Sequence, residues 1–163
     1  MVRRLVIMAL LAAAAWGIWY YLRGDERQVR GRLSELARLV SKEGEEPVVA
    51  MALRMKRLGT LFAPLCRIES DRHGLFGELP PDRITSHAAA GRAPFRRLSL
   101  AFHDVGVRFP REGEGVATAT AVLSGVTKAE DLFEETHEVE IGFVKGEGGW
   151  RVSRLRAVEV LRR

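Results

Sequence analysis

The fold of this chain is decided by its C-terminal stretch Arg97–Leu161, which has the sequence RLSLAFHDVGVRFPREGEGVATATAVLSGVTKAEDLFEETHEVEIGFVKGEGGWRVSRLRAVEVL. Four strand-like runs follow one another in it: Leu98–Phe109, Val116–Val126, Thr136–Lys145 and Trp150–Leu161. Two of the three connections, Pro110–Gly115 and Gly146–Gly149, are rich in glycine, which takes positive φ without strain. We therefore predict an antiparallel meander that buries one face against other elements.

Apolar residues occur on both faces of these predicted strands. Strict alternation puts Leu98, Leu100 and Phe102 on one face of the first strand, and Val105 and Phe109 on the other. A sheet with one solvated face alternates more cleanly than this. The pattern indicates strong curvature or an outer face covered by a partner.

The acidic segment between the second and third predicted strands, Glu130–Glu135, is expected to be a solvent-facing loop.

Composition and charge narrow the classes of function. The net charge is +5, but Arg3, Arg4 and Arg23 account for three of these charges, so residues 24–163 carry only +2. A nucleic-acid-binding domain is usually clearly basic, so no nucleic-acid partner is expected. Cys66 is the only cysteine and the four histidines are dispersed, which predicts no disulfide, no metal site and no cofactor.

The N-terminal segment Leu5–Leu22 contains 18 residues without a charge. As a helix it spans about 27 Å, close to the thickness of a hydrocarbon core. We predict an uncleaved signal anchor over residues 1–23, and a domain over 24–163 on the periplasmic side of a bacterial inner membrane. A cleaved signal peptide is the alternative, because Arg3, Arg4 and the small residues Ala12–Ala15 suit one as well.

Two amphipathic helices are predicted after a polar link at residues 23–27. The first spans about Glu26–Ser41, where the apolar residues Val29, Leu33, Leu36, Ala37 and Val40 recur with helical spacing. The second begins at Glu45-Glu46-Pro47 and ends before Ala63-Pro64. Its apolar stripe consists of Val48, Met51, Ala52, Met55, Leu58 and Phe62.

A short hairpin and a third helix precede the meander. The hairpin is predicted over Leu65–Glu69 and Leu75–Leu79, and Pro80-Pro81 opens the helix. The apolar side of that helix is formed by Ile84, Ala88, Gly91 and Phe95, with His87 beside them.

This order of elements resembles the nuclear transport factor 2-like (NTF2-like) superfamily, also called SnoaL-like or cystatin-like cones. The closing turn and strand, Gly148-Gly149-Trp150-Arg151-Val152, is similar to the end of those domains. The resemblance covers about residues 26–163. It implies an α+β cone of three helices packed on a curved antiparallel sheet in the order α-α-β-β-α-β-β-β-β, with an internal pocket. The superfamily includes isomerases, dehydratases, cyclases, transport factors and membrane-tethered assembly domains, so the fold does not specify an activity.

The resemblance implies that functional residues face the pocket. The tyrosine of the isomerase pattern has no counterpart, because the only tyrosines are Tyr20 and Tyr21 in the anchor. His103 and Asp104 are adjacent on one predicted strand, and alternation places them on opposite faces. The candidate pocket residues are His87, His103, Asp104, Met51, Met55 and Phe62.

Two hypotheses follow. The first is a membrane-tethered, non-enzymatic protein-binding or assembly domain, whose partner is a second copy or another protein on the outer face of the sheet. The alternative is a domain that binds a small apolar ligand, or a lyase- or isomerase-type enzyme, with the pocket as its site.

Overall fold

The computed structural model describes residues 2–70 and 75–158, which form three helices and six strands in the predicted order. The helices are α1 (Val2–Val40), α2 (Val48–Gly59) and α3 (Pro81–Arg92). The strands are β1 (Phe62–Ser70), β2 (Leu75–Leu79), β3 (Phe95–Arg111), β4 (Glu114–Thr127), β5 (Leu132–Gly146) and β6 (Gly149–Val158). The α+β class is therefore confirmed. Residues 159–161 of the last predicted strand lie outside the described residues.

The six strands form one sheet in the order β2-β1-β6-β5-β4-β3. Neighbours from β3 to β6 are antiparallel, which confirms the predicted meander. Gly113 (φ 74°) and Gly149 (φ 91°) adopt the left-handed conformation in its two glycine-rich turns. The predicted hairpin is also present as β1 and β2. However, β1 lies parallel to β6, so the sheet is mixed and not antiparallel throughout as predicted.

The helices cover one face of this sheet. Val29, Leu33 and Leu36 of α1 are buried with helical spacing against the strands. Beyond α1, Lys42 pairs with Leu98 through backbone hydrogen bonds of 2.7 and 2.8 Å, which fixes the helix end to β3. The largest fully buried side chains are Trp150, Phe143, Leu58, Leu61, Ile141, Val29, Val152 and Cys66.

A β-bulge in β3 corrects the predicted face assignment. The register shifts between His103 and Gly106, and Asp104 adopts φ 52° there. The extra residue moves the side chains that follow it to the other face, so Val105 and Phe109 pack against the same core as Phe102. The two apolar faces predicted for this strand are therefore one face.

A register shift between β5 and β6 has the same effect. Phe143 pairs with Val152 whereas Gly142 pairs with Arg154, so β6 contains one more residue than its partner at this point. Leu155 consequently packs against the same core as Val152. The apolar residues of β6 on both sides of the shift therefore pack on the inner face, and their pattern does not require a partner on the outer face.

The outer face, which is the face of the sheet opposite the helices, is polar at its centre. Thr120 of β4 donates to Glu138 of β5 at 2.9 Å, and Arg108 of β3 lies 3.3 Å from Glu140 of β5. Such cross-strand pairs are typical of a solvated face.

Three element boundaries differ from prediction. Helix α2 ends at Gly59, so Phe62 begins β1 instead of continuing the helix. A Cβ on Gly59 would lie 3.4 Å from Cγ2 of Thr85, because α2 and α3 approach closely there. Pro94 prevents α3 from reaching Phe95, which begins β3 and makes an edge contact with Phe133 at 5.2 Å. The acidic segment predicted as a loop belongs in part to β5, which starts at Leu132.

Helix α1 is continuous through residues 23–27, where a polar link was predicted. In the part of the chain that the structure describes, no helix is long and apolar enough to cross a membrane. The structure does not describe most side chains of Leu5–Leu22. Among those that it describes, Leu11 is 65% exposed.

Candidate functional site

A cavity of about 320 Å³ lies between the helices and the inner face of the sheet. Its lining comes from all three helices and from every strand except β2. The lining residues are Leu36, Val40, Leu58, Phe62, Ile68, Glu69, Ser70, Ile84, Ala88, Leu100, Phe102, Ala121, Val139, Ile141, Leu155, Arg156 and Ala157. All but three of them are apolar.

Short side chains on β4 and α3 leave this space open. Ala117, Ala119 and Ala121 occupy the inner face of β4 and are buried, while the threonines between them occupy the outer face. Ala121 is paired with Phe102 of β3, and Ala88 faces the cavity from α3. Because alanine extends no further than Cβ, the helices do not close onto this part of the sheet.

Two of the three polar residues at the cavity belong to the outer face. Glu69 and Arg156 are paired between β1 and β6, and they alternate with Ile68 and Leu155, which pack against the core. The Glu69 carboxylate binds Arg67 and Arg154, both at 2.7 Å. The hydrogen bond from Arg154 lowers the pKa of Glu69, so this acid stays ionised and paired. Ser70 is the third polar residue.

The predicted pocket residues divide into two groups. His87, His103 and Asp104 are exposed, and none of them lines the cavity. The bulge at Asp104 breaks the alternation that would have placed it opposite His103, so both side chains reach solvent.

The apolar candidates lie inside the domain. Phe62 is 4% exposed and lines the cavity. Met55 is 8% exposed and belongs to the buried core, against which Met51 packs, but neither methionine lines the cavity as predicted.

A polar pair on the inner face of β5, outside the lining of the cavity, is absent from the predicted set. His137 of β5 is paired with Ala121 of β4 and shares the inner face with Val139. Its Nε2 lies 3.2 Å from Oε2 of Glu135. The spacing of two residues along one strand was visible in the sequence, but the segment around Glu135 was predicted to be a loop, where spacing carries no information about faces.

A buried carboxylate fixes α1 to the turn between β5 and β6. Asp25 is 5% exposed, and its Oδ1 accepts hydrogen bonds from Nζ of Lys145 at 2.8 Å and Nε1 of Trp150 at 3.0 Å. The Trp150 ring packs against Phe109 with centroids 5.4 Å apart. Trp150, which carries the family resemblance, is thus a structural residue here.

A second buried polar cluster caps the other end of α1. Arg92 of α3 is 3% exposed and donates to the carbonyl oxygens of Val40 and Ser41 and to Glu46. The same Glu46 carboxylate binds Arg54 of α2 at 3.1 Å. Arginines satisfy the free carbonyls at this helix end, so the cluster holds the three helices together over the cavity.

Other reactive groups offer no chemistry at the cavity. Burial raises the pKa of the Cys66 thiol to about 12, which keeps it protonated and unreactive. Within residues 2–70 and 75–158, no group of three His, Cys, Asp or Glu side chains is placed to hold a metal ion.

Comparison with known proteins identifies the fold. No family model matches the sequence, and no curated protein matches it either. A proposed aromatic ring hydroxylase from Novosphingobium aromaticivorans has a TM-score of 0.69 at 12% identity over 85% of this chain and 91% of its own. An NTF2-like protein of cystatin-like fold from the same organism has a TM-score of 0.65 at 12% identity, covering 90% of this chain and 89% of its own. This chain has the NTF2-like fold.

A third solved structure agrees with this fold. A proposed scytalone dehydratase from Novosphingobium aromaticivorans matches with a TM-score of 0.62 at 17% identity over 86% of each chain. The resemblance suggested by the order of elements is therefore confirmed as a likeness of fold. At such identities, the likeness does not extend to activity.

Proposed function

We propose that this NTF2-like domain binds a small, uncharged, apolar molecule in its central cavity. The observation that carries the proposal is the lining, where aliphatic and aromatic side chains surround the space and Ser70 is the one polar residue of the inner face among the described lining residues. A charged ligand would lose its hydration there without gaining a counter-charge.

The size of the cavity limits the ligand. A volume of about 320 Å³ lies at the lower end of the range for small-molecule sites, and it corresponds to about ten water volumes. A two- or three-ring aromatic compound or a chain of about ten carbons fits. Burying ten methylene-sized groups contributes about 8 kcal/mol, and an association cost of about 4 kcal/mol leaves about 4 kcal/mol, so a dissociation constant of about 1 mM is expected.

Binding is favoured over acid–base catalysis because of where the titratable groups lie. His87, His103 and Asp104 are exposed, and the Glu69 carboxylate is ion-paired on the outer face. A lyase or isomerase needs a general base within hydrogen-bonding reach of its substrate. None of the four offers one inside the cavity.

A matched pair of alanines on α3 tests the proposal. Ala88 lines the cavity, whereas Ala90 is exposed two residues further along the same helix. The full-length protein is titrated with the neutral fluorophore 1-aminoanthracene. We expect Ala88→Leu to weaken binding at least tenfold, because the added carbons occupy the space, and Ala90→Leu to leave it unchanged.

Equal binding by both variants would place the fluorophore outside the cavity and contradict the proposal. Since both substitutions add the same side chain to the same helix, differences in helix propensity cancel. Thermal unfolding of each variant shows that the domain is intact.

We also propose that Leu5–Leu22 tethers the domain to a bacterial inner membrane, with the domain on the periplasmic side. The support is sequence alone: 18 uncharged residues bracketed by Arg4 and Arg23. Fractionation of cells expressing the full chain, with C-terminal phosphatase and fluorescent fusions, tests this. A phosphatase fusion that is inactive, together with a fluorescent cytoplasmic fusion, would contradict the orientation.

The protein-binding or assembly role through the outer face stays a prediction. The two bulges remove the two-faced apolar pattern of β3 and β6, whereas β4 keeps Val116 and Val122 on the outer face, which is polar at its centre. Chemical crosslinking of the full chain tests for a second copy.

A further inference from the structure

Helix α2 has two apolar sides, and the domain buries only one of them. Met55 and Leu58 are buried in the core, whereas Val49 and Leu53 are 72% and 64% exposed on the opposite side of the helix. Val49, Leu53 and Lys56 follow one another at intervals of four and three residues, so they form one row along the outside of α2. Contiguous exposed apolar residues of this kind mark an interaction surface. The surface, called the α2 face below, consists of the exposed residues Val48, Val49, Ala52, Leu53 and Lys56.

Opposite charges lie at the two ends of the α2 face. Glu45 precedes the helix at one end, and Lys56 lies in the last turn at the other end. Both side chains are exposed, and neither has an ion-pair partner among the residues that the structure describes. By contrast, Glu46 and Arg57 beside them are bound within the chain. The charges of Glu45 and Lys56 are therefore available to a second molecule.

Two-fold symmetry fits this pattern of charges. In an antiparallel pair of identical helices, each residue meets the one that lies equally far on the other side of the axis. The midpoint between Val49 and Leu53 is Met51, and the midpoint between Glu45 and Lys56 lies half a residue before it. A single axis at this level therefore places Val49 against Leu53 of the second copy. The same axis brings Glu45 to Lys56 of the second copy, twice over.

We propose that two copies of this chain pair antiparallel through the α2 face. Because the helices cover the inner face of the sheet, this interface lies on the side of the domain opposite the outer face. It is also separate from the cavity lining, so the inference does not depend on the bound ligand.

A lipid surface fits the α2 face less well than a second copy does. Arg57 of α2 lies 2.9 Å from Glu35 of α1, and about 20 Å of continuous helix separates Leu22 from Glu35. A bilayer that contains Leu5–Leu22 therefore ends well before α2. An anionic surface would also repel Glu45, whereas the antiparallel pair uses it.

The length of α2 makes the dimer a weak one. A helix of 12 residues is about 18 Å long, so one of its faces buries much less than the roughly 800 Å² per partner of a stable interface. The dimer is expected to dissociate on dilution, and covalent crosslinking is therefore the appropriate measurement.

Cysteine crosslinking of the full-length protein tests where the copies meet. Ala52 lies one residue from the proposed axis, so Ala52→Cys places two thiols near each other across it. Ala90→Cys is the matched control, because it makes the same change at an exposed position of α3, and Thr118→Cys reports pairing through the outer face. Native Cys66 is buried and does not interfere. With a short bis-maleimide, we expect about tenfold more crosslinked dimer from Ala52→Cys than from either other variant, because only its thiols are held together.

Exchange of the end charges tests the antiparallel arrangement. In the Ala52→Cys background, Glu45→Lys or Lys56→Glu turns both attractive contacts into repulsive ones, so each should lower the crosslinked fraction about tenfold. The double variant Glu45→Lys/Lys56→Glu restores opposite charges and should recover the original fraction. Thermal unfolding of each variant shows that the domain is intact.

Three results would overturn the proposal. Equal crosslinking of Ala52→Cys and Ala90→Cys would show random collision, and strongest crosslinking of Thr118→Cys would place the contact on the sheet. A double variant that crosslinks no better than the single ones would exclude the antiparallel pairing of Glu45 with Lys56.

Discussion

Removing the carboxylate of Asp25 should loosen the attachment of α1 to the sheet. Asp25→Ala deletes the acceptor shared by Trp150 and Lys145. The indole N–H of Trp150, which is 1% exposed, is then left buried without a partner, at a cost of about 1–3 kcal/mol. The Lys145 side chain is 29% exposed and can be hydrated, so the lost ion pair adds only about 1 kcal/mol.

We therefore expect a decrease of about 2–4 kcal/mol in the free energy of unfolding, or on the order of 10 °C in Tm. Urea unfolding followed by far-ultraviolet circular dichroism measures the first quantity, and thermal unfolding measures the second. Asp25→Asn is the matched control, because its amide oxygen still accepts from the indole. It should lose about half as much.

Two results would refute this reasoning. One is a change below about 0.5 kcal/mol for Asp25→Ala, which would mean that water replaces the carboxylate. The other is an equal loss in Asp25→Asn and Asp25→Ala, because the negative charge rather than the acceptor would then dominate.

Three further predictions concern other parts of the domain. Gly125→Ala should lower the free energy of unfolding by about 1–3 kcal/mol, because the added Cβ would meet a backbone oxygen of β3. Gly31→Ala, on the exposed face of α1, should raise the free energy of unfolding by about 0.5–1 kcal/mol. Urea unfolding of both variants checks these two values. Because Arg154 lowers the pKa of Glu69 from its usual 4.5, the pair stabilises the fold above pH 4.5 and this part is lost as the pH falls through the lowered pKa. Glu69→Gln should accordingly be less stable than the unmodified protein at pH 7, with a gap that closes in acid, and a gap independent of pH would contradict this. The pKa of the Cys66 thiol is about 12 against the usual 9.0, so Cys66 should react with iodoacetamide about a thousandfold more slowly in the native protein than after unfolding in guanidinium. Mass spectrometry measures the labelling, and rapid labelling of the native protein would contradict the burial of Cys66.

Local chemistry explains which elements were predictable. The glycines at 113 and 149 permit the left-handed turns of the meander, and Pro81 begins α3 where it was expected. Helical spacing of apolar residues identified the buried side of α1, including Val29 and Leu33. Each of these signals depends on neighbours within about one turn of the chain, so the sequence contains it in full.

The site was less predictable because it depends on which face of a strand each residue occupies and on partners that are far apart in the sequence. One bulge at Asp104 reverses the faces of the β3 residues that follow it, up to Phe109, and nothing in the sequence distinguishes that aspartate from one in a regular strand. His87 follows the helical pattern of α3 but lies on its exposed side. Glu135 was predicted in a loop, so its pairing with His137 was not foreseen.

The sequence by itself determined the order of elements, the turns of the meander and the likeness to NTF2-like domains, because these follow from local propensity and short-range periodicity. Only the tertiary structure decided which faces are buried, that β1 joins β6, and that the alanines of β4 leave an apolar cavity. These features arise from register and packing between segments far apart in the chain, and a shift of a single residue changes them.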